Sequence, residues 1–152
     1  GGRAAEEVVF GVVTTGAEAR LIEAEAQLQG ATQTGRDAVY AAVNSLRTGG
    51  APIGGTTTTN VTVAALTSGA PTTQDAAIDL LYKERAYWLW LTGHRLGDLR
   101  RLVRVYKRNI EAVFPTGPLT PPLEGTYGTG TTVTVPFSER NNPNFQGCLS
   151  EP

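Results

Sequence analysis

The chain has 152 residues, 40% of them hydrophobic and 18% charged, with a formal net charge of −1. That is long enough for one domain, residues 1–152, that buries much of its surface, and too balanced in charge for a global field that would draw in a polyanion. A single cysteine, Cys148, and a single histidine, His94, exclude an internal disulfide framework and a zinc site.

Taken in order, the chain starts at Gly1 without the charged and apolar regions of a secretory signal, and no apolar run approaches the length of a membrane helix. The expectation is a cytosolic chain, or one shortened at its N-terminus. Val8 to Val13 is a β-branched run that reads either as a strand or as an extended lead-in. Thr14 and Thr15 can then cap a helix from Ala17 to Leu28. Its stripe of Ala17, Leu21, Ala24 and Leu28 faces one way and Ala19, Ile22 and Ala26 the other, so the spacing predicts a helix packed on both sides. Thr34 with Asp37 resembles a capping box opening a helix to Arg47, with Val39, Ala42, Val43 and Leu46 buried. The short loop between the two makes them antiparallel neighbours.

Gly49 to Pro71 is rich in Gly, Thr and Pro and poor in large apolar residues, which predicts a long loop with room for a strand at Asn60–Val63. Gly49-Gly50 and Gly54-Gly55 lack the Lys-Ser/Thr of a phosphate loop and read as flexible turns. Asn60-Val61-Thr62 matches a glycosylation sequon, and Thr56 to Thr59 offers hydroxyls, but a chance match is the better reading.

A third helix is expected from Gln74 to Leu91, capped by Thr72 or Thr73. Ile78, Leu81, Tyr82 and Leu89 lie on one face, with Leu80, Tyr87, Trp90 and Leu91 on the other, which again predicts cover on both flanks. Thr92-Gly93 breaks it. A fourth helix from Arg95 carries a narrow stripe of Leu96, Leu99, Val103, Tyr106 and Ile110 beside Arg100, Arg101, Arg104, Lys107 and Arg108. Residues 95–108 hold a local charge of +5, balanced by −6 elsewhere. From Val113 the chain is Pro-rich and extended, with Thr131 to Val135 alternating like an edge strand.

Four blocks of this sequence, in this order, carry a resemblance: EARLIEAEAQLQG (Glu18 to Gly30), AVNSLR (Ala42 to Arg47), ERAYWLWLTGHRLGDLRR (Glu84 to Arg101) and VPFSERNNPNFQG (Val135 to Gly147). They resemble the C-terminal part of the SusD/RagB-like proteins, lipid-anchored outer-membrane proteins of the Bacteroidetes and related bacteria. The matching positions are Asn44 and Arg47, then Glu84, Arg85, Gly93, Arg95, Asp98 and Arg101, then Asn142 and Pro143. Trp88 and Thr92 stand where the family commonly has glutamates, and Leu96 stands for an aromatic.

The resemblance implies a mainly α fold of TPR-like helical hairpins, about four helices with long irregular loops and an extended tail, of which this chain is the C-terminal third. It further implies a cell-surface protein that binds a glycan or other nutrient and acts with a SusC-like TonB-dependent transporter. By the same resemblance it is expected to perform no chemistry and to need no cofactor or metal. Ligand contacts in that family lie on variable loops, so none transfers to a residue here.

Other features have structural readings beside functional ones. His94 and Asp98, four apart, have the spacing of an acid/base pair, but no nucleophile or second carboxylate is near in sequence. Glu84 and Arg85, charged residues in an apolar helix, need partners, and Arg95, Arg100 or Asp98 across the Gly93 turn are the expected ones. The basic helix face lacks the interleaved aromatics of a nucleic-acid module, so no nucleic-acid partner is expected. Trp88, Trp90, Tyr82 and Tyr87 read as core in preference to a sugar-stacking platform. Self-association is the competing role, because a helical-repeat fragment leaves faces that stacked copies can cover.

Overall fold

A computed structural model of the chain describes residues 15–53, 59–132 and 137–145. The Val8–Val13 run, Gly54-Gly55, Thr56 to Thr58, most of the Thr131–Val135 alternation and Cys148 lie outside the described residues. The described residues are mainly helical, with six helices and two isolated β-bridges, Ala51 with Val61 and Pro118 with Thr126. The expected strand at Asn60–Val63 is reduced to the first of these bridges. The chain divides into two compact units between His94 and Arg95.

The first unit is built on α1 (Gly16–Leu28), α2 (Gln33–Gly49) and α3 (Gln74–Trp88). Each starts on a threonine whose hydroxyl accepts a free N–H of the first turn: Thr15 from Glu18, Thr32 from Gly35 and Thr73 from Ala76. The cap of α2 is therefore Thr32 and not Thr34. The earlier start brings Gly35 into the first helical turn, where a Cβ would fall on the backbone carbonyl of Gln27 in α1. Glycine at this position lets the two helices approach.

Bonds at the helix ends set the directions. Arg20, early in α1, donates to Ser45, late in α2, at 3.2 Å, so these helices are antiparallel. Gln74, first in α3, donates to the Leu28 carbonyl at the end of α1 at 2.6 Å, so α3 is also antiparallel to α1. It follows that α2 and α3 run the same way. Two consecutive parallel helices need a connection that returns the full length of the first.

The described parts of the connection, residues 51–53 and 59–73, make that return as a strap along α2. Val63 N–H bonds the Arg47 carbonyl at 2.7 Å, Leu66 N–H bonds Asn44 Oδ1 at 2.8 Å, and the Leu66 carbonyl accepts from the Tyr40 hydroxyl at 2.7 Å. Farther down, the Pro71 carbonyl accepts from Gln33 at 3.4 Å. A 17-residue helix is about 25 Å long, and about eight extended residues cover that distance, which is the interval from Val63 to Pro71. Three of these four bonds run to side chains of α2.

The core of this unit is Leu21, Ala24 and Leu28 of α1, Val39, Val43 and Leu46 of α2, and Ala77, Ile78, Leu81 and Tyr82 of α3, all buried. Among the described residues, the expected cover on the far sides of α1 and α3 is missing at four positions. Ile22 is 51% exposed, Tyr87 58%, Trp90 60% and Leu91 72%. For Trp90 and Leu91 the reason lies at the end of α3, which stops at Trp88. Leu91 and Gly93 both take left-handed backbone angles (φ 59° and 81°), and the Thr92 hydroxyl donates to the Leu89 carbonyl at 2.6 Å. Trp90 and Leu91 thus sit on a turn and not on a helix face, and the two-sided packing predicted from periodicity fails here.

The second unit begins with α4 (His94–Arg104) and continues through α5 (Ile110–Val113) and α6 (Phe137–Arg140). The predicted stripe runs past the real end of α4. The last turn widens, with the Tyr106 N–H bonding the Arg101 carbonyl five residues back at 3.3 Å, and Lys107 enters the left-handed region at φ 57°. Of the stripe, Leu99 is buried, while Leu96, Val103, Tyr106 and Ile110 are half-buried. Between α5 and α6 the Leu119 N–H bonds the Gly125 carbonyl and the Tyr127 N–H the Gly117 carbonyl, both at 2.9 Å, closing a small irregular loop.

Candidate functional site

One polar arrangement in the first unit is centred on Glu84, which is buried in α3. Its Oε1 accepts from Arg47 Nη1 at 2.8 Å and its Oε2 from the indole N–H of Trp88 at 3.0 Å. Arg47 also donates from Nε to the Ala64 carbonyl of the strap at 2.8 Å. One guanidinium therefore joins α2, the strap and α3. A carboxylate this deep is tolerable because both oxygens are satisfied, one by a charge-assisted bond. Trp88 stands one helical turn after Glu84, so its indole N–H reaches Oε2 along the helix.

The partner of Glu84 is thus Arg47, and the expected pairing with Arg95 or Arg100 across the Gly93 turn is corrected. Local reasoning looked for a cation nearby in sequence, whereas the parallel α2–α3 arrangement brings one from 37 positions away. The signal was present: Asn44 and Arg47 both belong to one motif block, and both turn out to hold the strap. Tyr40, which bonds the same strap, was not singled out.

Arg85 is buried, with its guanidinium carbon 5.8 Å from the centroid of the Tyr82 ring, close enough for a cation–π contact. The Tyr82 hydroxyl in turn donates to Glu25 Oε1 at 2.8 Å. Gly93 occupies the turn after α3. The remaining motif residues lie in the second unit. There Asp98 is buried, and Arg95, Arg101, Asn142 and Pro143 are exposed. Asn142 makes a local turn, accepting from the Asn144 N–H at 3.0 Å and donating to Glu139 at 3.3 Å.

His94 meets Glu18 at 2.8 Å through Nε2 and the Thr92 hydroxyl at 2.7 Å through Nδ1. A hydroxyl, an imidazole and a carboxylate in line have the outline of a hydrolytic triad. The Thr92 proton, however, is donated to the Leu89 carbonyl, so the hydroxyl is turned away from the ring nitrogen that would have to accept it. In this geometry the trio fastens the turn after α3 to the first turn of α1. The four aromatics also divide: Tyr82 and Trp88 are core, and Tyr87 and Trp90 are exposed.

Beside the Glu84 pin, between the strap, α2 and α3, lies a half-open groove of about 410 Å³. Its walls are Ile53, Val63 and Leu66 of the strap and Leu80, Tyr87 and Trp88 of α3, with Arg47, Lys83 and Glu84 supplying the polar positions. Among the described residues there is no group of three or more His, Cys, Asp or Glu placed to hold a metal ion, and no helix long and apolar enough to cross a membrane. Compared with protein-family models, characterised proteins and solved structures, the chain matches none.

Proposed function

We propose that this chain is the helical scaffold region of a cell-surface nutrient-capture protein of the SusD/RagB-like kind. In that role it binds a glycan or other nutrient at the outer membrane and works with a SusC-like TonB-dependent transporter. The observation that carries the reading is the meeting of two motif blocks at one point, Arg47 from AVNSLR and Glu84 from ERAYWLWLTGHRLGDLRR. Residues that resemble the family then have a shared structural task, fastening a long loop to a helical hairpin. The antiparallel α1–α2 pair supports describing the scaffold as TPR-like. Residues 114–132, which form no helix, fit the long loops of the same architecture.

The test is affinity capture from detergent-solubilised outer membranes, run together with binding measurements on a panel of soluble oligosaccharides. Co-purification of a TonB-dependent β-barrel, or saturable binding of one oligosaccharide class, is the expected result. Recovery of no barrel together with no binding across the panel refutes the proposal.

Self-assembly is a second reading, favoured by one observation: Tyr87, Trp90 and Leu91 are exposed within five residues of one another. In that case the chain is a structural protein whose copies stack through this patch. Sedimentation velocity separates the two, since a monomer across a wide concentration range contradicts assembly and a concentration-dependent series of larger species supports it.

A further inference from the structure

The groove beside the Glu84 pin has the properties of a small-molecule site that neither role above requires. Its volume falls in the range of ligand pockets, about 300–1,000 Å³, and like them it is lined mainly by apolar side chains with a few placed polar groups. The indole of Trp88 is one of its walls and is itself buried, so the surface is held rigidly by the core of α3.

Its charges are unequal. Both oxygens of Glu84, the only acid of the lining, are occupied by Arg47 and Trp88. Arg47 and Glu84 offset each other's charge, so the surplus positive charge of the lining is the exposed Lys83 ammonium, which pairs with no acid among the described residues. An apolar trough with surplus positive charge at its edge attracts a molecule that is hydrocarbon along its body and anionic at one end.

We propose that this groove binds a small amphipathic monocarboxylate, with its hydrocarbon part lying between Leu66 and Leu80 against Trp88 and its carboxylate directed to Lys83. A neutral sugar fits this arrangement poorly. Its hydroxyls would find few donors or acceptors along Ile53, Val63, Leu66 and Leu80, and each one buried without a partner opposes binding. The site stands independently of the nutrient-capture role, because it is argued from the lining of the groove and not from the family resemblance.

The test uses the full chain carrying Trp90→Phe, which leaves Trp88 as the sole tryptophan reporter. Decanoate, titrated below its micelle-forming concentration, is expected to change Trp88 emission saturably. 1-Decanol, equal in length but uncharged, is expected to bind about five-fold more weakly, and Lys83→Glu to weaken decanoate about ten-fold while leaving decanol unaffected. Lys83→Gln serves as a milder variant should the charge reversal disturb folding, and far-UV circular dichroism checks both. Val63→Phe, which fills the trough from its exposed strap side, is expected to abolish binding of both compounds. No saturable change in Trp88 emission overturns the proposal, as does equal affinity for acid and alcohol, or decanoate binding that survives removal of the Lys83 charge.

Discussion

Arg47 and Glu84 face each other at 2.8 Å, from the last turn of α2 and one turn before the end of α3, and so join two parallel helices near the same end. The parallel course of α2 and α3 forces the chain to return along α2 as a strap, and a strap has no sheet to hold it. Asn44 and Tyr40 bond its backbone at Leu66, and Arg47 bonds it at Ala64 while reaching across to Glu84. The three-helix packing, the loop and the candidate groove therefore share one electrostatic joint.

The close approach of α1 and α2 at Gly35 makes a contrast with Gly97. A Cβ on Gly35 would meet the Gln27 carbonyl, whereas one on Gly97 in α4 meets nothing within 4 Å. Gly35→Ala is expected to destabilise by about 1–3 kcal/mol through overpacking, and Gly97→Ala to stabilise by about 0.5–1 kcal/mol through helix propensity. Urea unfolding of the two variants checks the opposite signs.

Leu91 takes a left-handed conformation at φ 59° and is also 72% exposed, so in the isolated chain its side chain gains little for the strain. Leu91→Gly is expected to leave stability unchanged or raise it by up to about 1 kcal/mol. A loss of stability of similar size under dilute conditions would show that the leucine is covered.

The two tryptophans differ in exposure, 3% for Trp88 and 60% for Trp90. Acrylamide quenching is expected to be weak in Trp90→Phe and strong in Trp88→Phe. Protection of Trp90 that appears only at high protein concentration would point to stacking of copies through the Tyr87–Leu91 patch.

Much of the helical part was legible in the sequence. The cores of α1, α2 and α3 follow from the 3.6-residue spacing of Leu21 and Leu28, Val39 and Val43, and Ile78 and Leu81, and two of the three caps follow from threonine placement. The failures share a cause. Periodicity shows which faces are apolar but not whether a neighbour is present to cover them, so Ile22, Trp90 and Leu91 read as packed. It also continues past a helix end set by backbone geometry, as at Leu91 and Lys107. The partner of Glu84 was hidden for a different reason: only the direction of α3 relative to α2 determines which distant cation arrives, and no local spacing encodes that direction. The cap at Thr32 shows the same dependence on tertiary packing, because Gly35 is needed in the first turn for the sake of α1.

The joint between Arg47 and Glu84 is measured most directly by a double-mutant cycle with Arg47→Met and Glu84→Met, using urea unfolding of the four proteins. Arg47→Met strands the buried carboxylate and is expected to cost about 3 kcal/mol, while the double variant is expected to recover at least about 1.5 kcal/mol relative to the sum of the single losses. Single losses that add to within about 0.5 kcal/mol would mean that the two side chains are energetically independent, and the strap and helices would then have to be held together by something else.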